Sequence, residues 1–193
     1  MQITFSKYKL IALFVALGLL QGCAAVVVGA GLGAASVAHD RRTVGTQLDD
    51  KTLAGKVIAR LAKNKALEEG ANINVLVFNG VLLLTGQAPT ESLRAEAHKI
   101  AAAVPHIKKT HNLIRIGHPI APSTAAHDVW LASKVRAQLL TDKRIDGLHI
   151  SITVEDSEVF LMGLVKSNEA NVAVDIVRNI NGVTQVVKAF EYL

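Results

Sequence analysis

Cysteine is nearly absent from this chain, which holds one in 193 residues. That excludes an intramolecular disulfide framework and a Cys-rich zinc site. Aromatic residues make up 4%, too few for a platform on which single-stranded nucleic acid stacks. The apolar run Leu10–Leu20 stops at Gln21, short of a comfortable membrane span, and a span running on through Val28 is weakened by Gly22, Gly29, Gly31 and Gly33 and by the lack of a positive cluster directly after the run. The histidines (His39, His98, His106, His111, His118, His127 and His149) form no His-x-x-x-His pair beside a carboxylate on a helix. Serines and aspartates lack nucleophile-elbow spacing. The sequence therefore offers no catalytic residue, no metal ligand set and no cofactor site, and it reads as a non-enzyme. What it has in quantity is hydrophobic residues, half of the total, and a formal net charge of +5. The length allows one ordinary domain or two small ones. A basic balance first suggests nucleic acid or a membrane surface as partner.

The N-terminus reads as an address. Lys7 and Lys9 precede the Leu10–Leu20 run, which has the length of a signal-peptide core. Leu20-Gln21-Gly22-Cys23 follows and resembles the bacterial lipobox, with Leu three residues ahead of the Cys and a small residue directly before it. The resemblance implies cleavage after Gly22, a thioether diacylglycerol on Cys23, and acylation (palmitate) of the new amine. Two or three acyl chains anchor stably where one is marginal. Residue 24 is Ala rather than Asp, which by the same resemblance sends the protein to the outer membrane, lipid-anchored on its periplasmic face. Loss of residues 1–22 removes Lys7 and Lys9 and no acid, so the 21 basic residues fall to 19 against 16 acidic ones, a formal +3. Compartment and charge together exclude nucleic acid. Gly29-Ala30-Gly31-Leu32-Gly33 has dinucleotide-loop spacing, but it lacks a preceding core strand and reads as a flexible spacer.

The remainder is duplicated. Leu53, Lys56, Val57 and Leu61 match Leu131, Lys134, Val135 and Leu139 at an offset of 78. Ile73, Val75, Val77, Leu82, Leu84 and Gly86 match Ile150, Ile152, Val154, Val159, Leu161 and Gly163 at 77. Apolar spacing repeated along a whole unit marks a duplication. The periodicity predicts, in the first copy, a helix over 50–63 with apolar residues 53, 57, 58 and 61 and a cap from Asp49 or Asp50. Strands over 72–78 and 81–86 flank an Asn79-Gly80 hairpin turn, and a helix over 90–103 capped by Thr90 leads to a strand over 108–116. The second copy gives a helix over 127–141, strands over 148–155 and 158–163 around Asp156-Ser157, a helix over 167–180 capped by Ser167, and a strand over 184–192. Glu68-Glu69 and Glu155-Asp156 are placed in solvated turns. The first copy is apolar on both sheet faces (Leu76, Phe78, Val81 and Leu83 lie on the second), so the other unit or the N-terminal tail is expected to cover it.

This α-β-β-α-β order, occurring twice after a lipobox, resembles the dual BON-domain periplasmic lipoproteins. The most telling stretches are Asp128–Leu140 and Glu158–Val165. The resemblance implies an α+β fold with two tandem BON domains, each a three-stranded mixed sheet covered by two helices. The expected organisation is a signal peptide over 1–22, acylated Cys and flexible linker over 23–47, a first domain over 48–117, a linker over 118–126 and a second domain over 127–193.

One surface invites a functional reading. On a helical wheel, Leu131, Val135 and Leu139 gather on one side, in the positions that form the core stripe of the first copy. Trp130 lies off that stripe, with Ser133, Ala137 and Leu140 on its side and Lys134 and Arg136 bordering it; Lys143 and Arg144 follow. A Trp body ringed by cations suits an anionic bilayer. Four cations would contribute about 4 kcal/mol at best, reduced by Asp128, Asp142 and Asp146. Packing of Trp130 against the other unit fits the sequence equally well. The family resemblance favours the membrane: it implies that the first helix of the second domain meets anionic phospholipid such as phosphatidylglycerol and cardiolipin, supporting outer-membrane integrity, with division sites as one location. Thr52 stands at the equivalent place in the first copy, so only the second unit is expected to bind lipid. The alternative is a protein-interaction adaptor or chaperone-like accessory of the outer-membrane assembly machinery.

Overall fold

The computed structural model describes residues 40–193. Cys23, the lipobox and the glycine-rich spacer lie outside the described residues. The first unit opens with α1 (Val44–Leu61), capped by Thr43, whose hydroxyl accepts from the Thr46 N–H. A short helix α2 (Lys65–Gly70) follows, capped by Asn64. Strands β1 (Asn72–Phe78) and β2 (Val81–Ala88) form an antiparallel hairpin through Asn79-Gly80, both at positive φ. Helix α3 (Glu91–Ala102), capped by Thr90 as expected, crosses back to β3 (Lys109–Asn112) and β4 (Arg115–Ile116), each parallel to β2. The second unit repeats this with α4 (Pro122–Thr141), β5 (Ile150–Glu155), β6 (Glu158–Val165), α5 (Ser167–Arg178) and β7 (Gln185–Tyr192), in sheet order β5-β6-β7. The fold is thus the expected α+β duplication.

Several expectations need correction. Helix α1 begins at Val44 rather than near 50, so neither Asp49 nor Asp50 caps it. Helix α4 begins at Pro122, where the ring suits the first helical position, so residues 122–126 of the expected 118–126 linker are helical. Glu68 and Glu69 are exposed as expected but lie in α2. Ile58 is exposed rather than in the core. Ser167 is the first residue of α5, and the cap contact is made by Glu169, which accepts from the Lys166 N–H. The strand expected over 108–116 is split. The Asn112 side chain accepts from the Ile114 N–H, and Ile114 is buried.

Each unit has its own core. In the first, Leu53, Val57 and Leu61 of α1 pack with Leu82, Leu84 and Ala97; in the second, Leu131, Val135 and Leu139 of α4 pack with Val159, Leu161 and Val177. A third cluster joins the units: Phe78, Val81 and Leu83 meet Phe160, Met162 and Ala189. The first sheet is therefore covered by the second, as its two apolar faces require. The second sheet's outer face looks polar on β5 (Ser151, Thr153), but β6 supplies the apolar partner residues. Gly86 and Gly163, matched in the repeat, occupy close strand crossings: a side chain at Gly86 would meet the Asn72 carbonyl, and one at Gly163 the His149 carbonyl.

Polar contacts close the rim of this seam. Arg115 forms a salt bridge to Glu158 at 2.6 Å, and the Asn79 amide donates to Glu191 at 2.7 Å. Glu155 is buried, not solvated, and accepts from Asn74 at 2.6 Å and Gln87 at 2.7 Å. Burial raises its carboxyl above the ordinary glutamate range; the Gln87 and Asn74 amides oppose this, and the carboxylates of Asp128 and Asp156 reinforce it.

Candidate functional site: the outer face of helix α4

Helix α4 carries apolar residues on two faces. The inner one is the core stripe. The outer one is set by a lock at the N-terminal half of the helix. Asp128, 4% exposed, accepts from the backbone N–H groups of Asp156 and Ser157 at 2.7 and 2.9 Å. Those residues form the turn between β5 and β6, both at positive φ. Asp50 does the same in the first unit, accepting from Asn79 and Gly80 at 2.7 and 2.8 Å. The pair obeys the repeat offsets. Asp128 therefore belongs to the fold and is no counter-charge on the surface.

With α4 held in that rotation, Trp130 is 53% exposed, which decides its placement in favour of solvent. Its ring stands 5.6 Å from the His127 ring, and the Lys134 ammonium lies 5.0 Å from its centroid. Lys134 also donates to the Asn181 carbonyl at 3.0 Å. Ser133 and Ala137 are exposed, and the Ser133 hydroxyl bonds back to the Val129 carbonyl. Leu140 is 47% exposed. Val129, absent from the sequence-based set, is 71% exposed and shares the side of the wheel on which Ser133 and Leu140 lie. The signal for it was in the sequence, because it precedes Trp130 and falls off the core stripe.

Besides Lys134, two more of the expected cations are engaged. The Arg136 guanidinium donates to the Ile150 carbonyl at 2.8 Å, and burial lowers its pKa from the ordinary arginine value. Its position on the helix borders the core stripe, beside the start of β5. Arg144 is exposed but paired with Asp142 at 2.8 Å and Asp175 at 3.3 Å. Hydrogen bonds from Arg144 hold the Asp142 carboxyl down at about 2. Lys143 is exposed and, among the described residues, without such a partner. The surface is thus an apolar strip of Val129, Trp130, Ala137 and Leu140, bordered by Lys134 and Lys143. Thr52 at the Trp130 position of α1 is exposed, its hydroxyl bonded to Leu48, and Gly55 faces open space.

Among the described residues, no group of three or more His, Cys, Asp or Glu is placed to hold a metal ion, and no helix is long and apolar enough to cross a membrane.

Two copies of one small α+β unit, joined sheet to sheet, with an exposed apolar strip on the first helix of the second copy, define a tandem-module protein. The chain belongs to the BON domain family, whose model matches residues 49–118 and 127–193. It is 36% identical over 191 residues to the outer membrane lipoprotein DolP of Haemophilus influenzae, covering 98% of this chain and 99% of that one. It is 35% identical over 154 residues to the 21 kDa hemolysin of Actinobacillus pleuropneumoniae, 80% of this chain and 79% of the other. Similarity to the osmotically-inducible protein Y of Escherichia coli is lower, 25% over 146 residues, covering 74% and 72%.

Proposed function

We propose that this protein is a non-enzymatic lipoprotein, anchored through Cys23 to the periplasmic face of the outer membrane, whose second BON domain binds anionic phospholipid and thereby supports envelope integrity, including at division sites. The similarity to an outer membrane lipoprotein over nearly the full length supports the anchor and the compartment. The observation that carries the lipid reading is the exposed Val129–Trp130–Leu140 strip on a helix whose opposite face is fully engaged in the core.

Magnitudes fit a weak peripheral contact. With Arg136 and Arg144 engaged and Lys134 tied to the Asn181 carbonyl, Lys134 and Lys143 together contribute at most about 2 kcal/mol near an anionic surface. Burying the Trp130, Val129 and Leu140 side chains adds a few kcal/mol at most, since all three stay partly covered in the free protein. A soluble protein with that balance binds anionic vesicles only at high lipid concentration. A lipid anchor raises the local concentration of the membrane to a level at which weak contact suffices. Phosphatidylglycerol and cardiolipin carry the required negative charge.

Vesicle binding by the unacylated mature chain (residues 24–193) tests this. The wild type should bind phosphatidylglycerol vesicles and not neutral ones, and Trp130→Glu should abolish binding; unchanged binding by Trp130→Glu would sink the proposal. The same strip could serve as a hot spot for a component of the assembly machinery. A photoreactive residue at position 130 separates the two, because a specific protein adduct in the envelope would favour the adaptor reading.

A further inference from the structure

The residues just ahead of α1 read in the sequence as flexible linker as far as position 47. Instead, two consecutive arginines grip different domains. Arg41 makes a double hydrogen-bonded salt bridge to Glu169 of α5, 2.7 Å for each oxygen, and also donates to the Leu164 carbonyl at 2.9 Å. Arg42 turns the other way. Its guanidinium bridges Asp40 at 2.6 Å and Asp50 at 2.8 Å and lies 3.7 Å over the Phe78 ring. Asp50 is the residue that holds the first hairpin turn, and Phe78 belongs to the interdomain cluster. Both arginine side chains are mostly buried. Bidentate pairing with a carboxylate and stacking on an aromatic face are what guanidinium does better than ammonium.

We propose that Asp40-Arg41-Arg42 is a clasp that closes over the seam between the two domains and fixes the point at which the N-terminal anchor segment leaves the globular unit. Its socket is built from both domains: Glu169 and the Leu164 carbonyl on one side, Asp50 and Phe78 on the other. The partner it fits is the chain's own arginine pair. Taken with the anchor at Cys23, on which this consequence rests, the clasp shortens the tether. Cys23 and Asp40 are 17 positions apart, so the reach is at most about 60 Å, against about 85 Å if the linker ran to position 47. The clasp thus removes about 25 Å from the greatest distance the globular unit can stand from the anchor.

The location of the clasp also matters. Asp128 holds the turn where β6 starts, at Glu158, and Leu164 lies six residues further along β6, roughly 20 Å away. Arg41 therefore docks at the end of the second sheet away from the Asp156-Ser157 turn, whereas Asp128, which holds that turn, stands two positions before Trp130.

No Lys or Arg stands between Cys23 and Arg41, so tryptic release of the N-terminal peptide reads these two arginines alone. The experiment uses the full-length protein extracted from membranes in detergent, with release followed by mass spectrometry. Glu169→Gln keeps an oxygen to accept from the Lys166 N–H and removes the charge that Arg41 needs. Arg41→Gln removes the first site and leaves cleavage after Arg42 as the readout. The wild type should release the peptide about tenfold more slowly than either variant, since cleavage of a docked segment tracks its opening. Equal rates in all three proteins, with both variants still folded by circular dichroism, would overturn the clasp. That result would leave the lipid reading of α4 untouched, because none of the variants alters that helix.

Discussion

Asp128 reaches from α4 to the β5–β6 turn, where its Oδ2 accepts a hydrogen bond from the Asp156 N–H at 2.7 Å. Asp50 and Asn79 make the same contact at the same distance in the first unit. A duplicated carboxylate that satisfies two backbone donors at positive φ is a structural element of the unit, and it sets which residues of the first helix face outward. Two positions after Asp128 comes Trp130; two positions after Asp50 comes Thr52. The scaffold is shared, and the difference between the domains lies in what it presents.

Asp128→Ala should destabilise the second domain by about 3 kcal/mol, because two backbone N–H groups lose their acceptor. Asp128→Asn retains one acceptor oxygen and should cost markedly less. Urea denaturation of the three proteins checks this; equal midpoints would contradict a locking role.

The two fates of the cations give a second expectation. Lys143→Gln should weaken binding to anionic vesicles about fivefold, the loss of roughly 1 kcal/mol, and flatten the salt dependence. Arg136→Met should leave the salt dependence unchanged and act on stability instead, since its guanidinium serves the Ile150 carbonyl. Vesicle co-sedimentation at several salt concentrations, beside thermal melts, tells them apart.

Glu155 supplies the pH dependence. Its folded-state pKa is raised, so the stability linked to it is fully present below the unfolded value near 4.3 and is lost as pH rises through the folded value. Glu155→Gln cannot ionise and should gain on the wild type in melting temperature between pH 4.5 and pH 7.5. Glu169 has the opposite sign: hydrogen bonds from Arg41 lower it to about 2, so its contribution is present above the unfolded value and fades as pH falls toward 2. Parallel melts of wild type and Glu155→Gln across this range would show a constant difference if the carboxyl were unperturbed.

Much of this was legible in the sequence. The matched apolar positions carry the duplication, Asn79-Gly80 and Asp156-Ser157 mark the hairpins, and the wheel separates Trp130 from Leu131, Val135 and Leu139. What was not legible depends on contacts between distant positions. Nothing local distinguishes Asp50, which holds a turn beyond the end of its own helix, from the neighbouring Asp49. Arg136 looks like a surface cation until Ile150 is known to lie beside it. Ile58, its counterpart in the first helix, looks like core for the same reason: that wheel position borders the stripe without entering it. Arg41 and Arg42 read as linker because their partners, Glu169 and Phe78, come from two different domains.

The proposed contact between the outer face of α4 and lipid is directly measurable because of the composition of the chain. Trp130 is the sole tryptophan, so intrinsic fluorescence reports on that face alone. Titrating the unacylated mature chain with phosphatidylglycerol vesicles should shift the emission to the blue, and brominated acyl chains in the same vesicles should quench it, with neutral vesicles producing neither effect. Emission that stays at the wavelength of a solvent-exposed indole, unquenched at saturating anionic lipid, would mean that this face of α4 does not meet lipid.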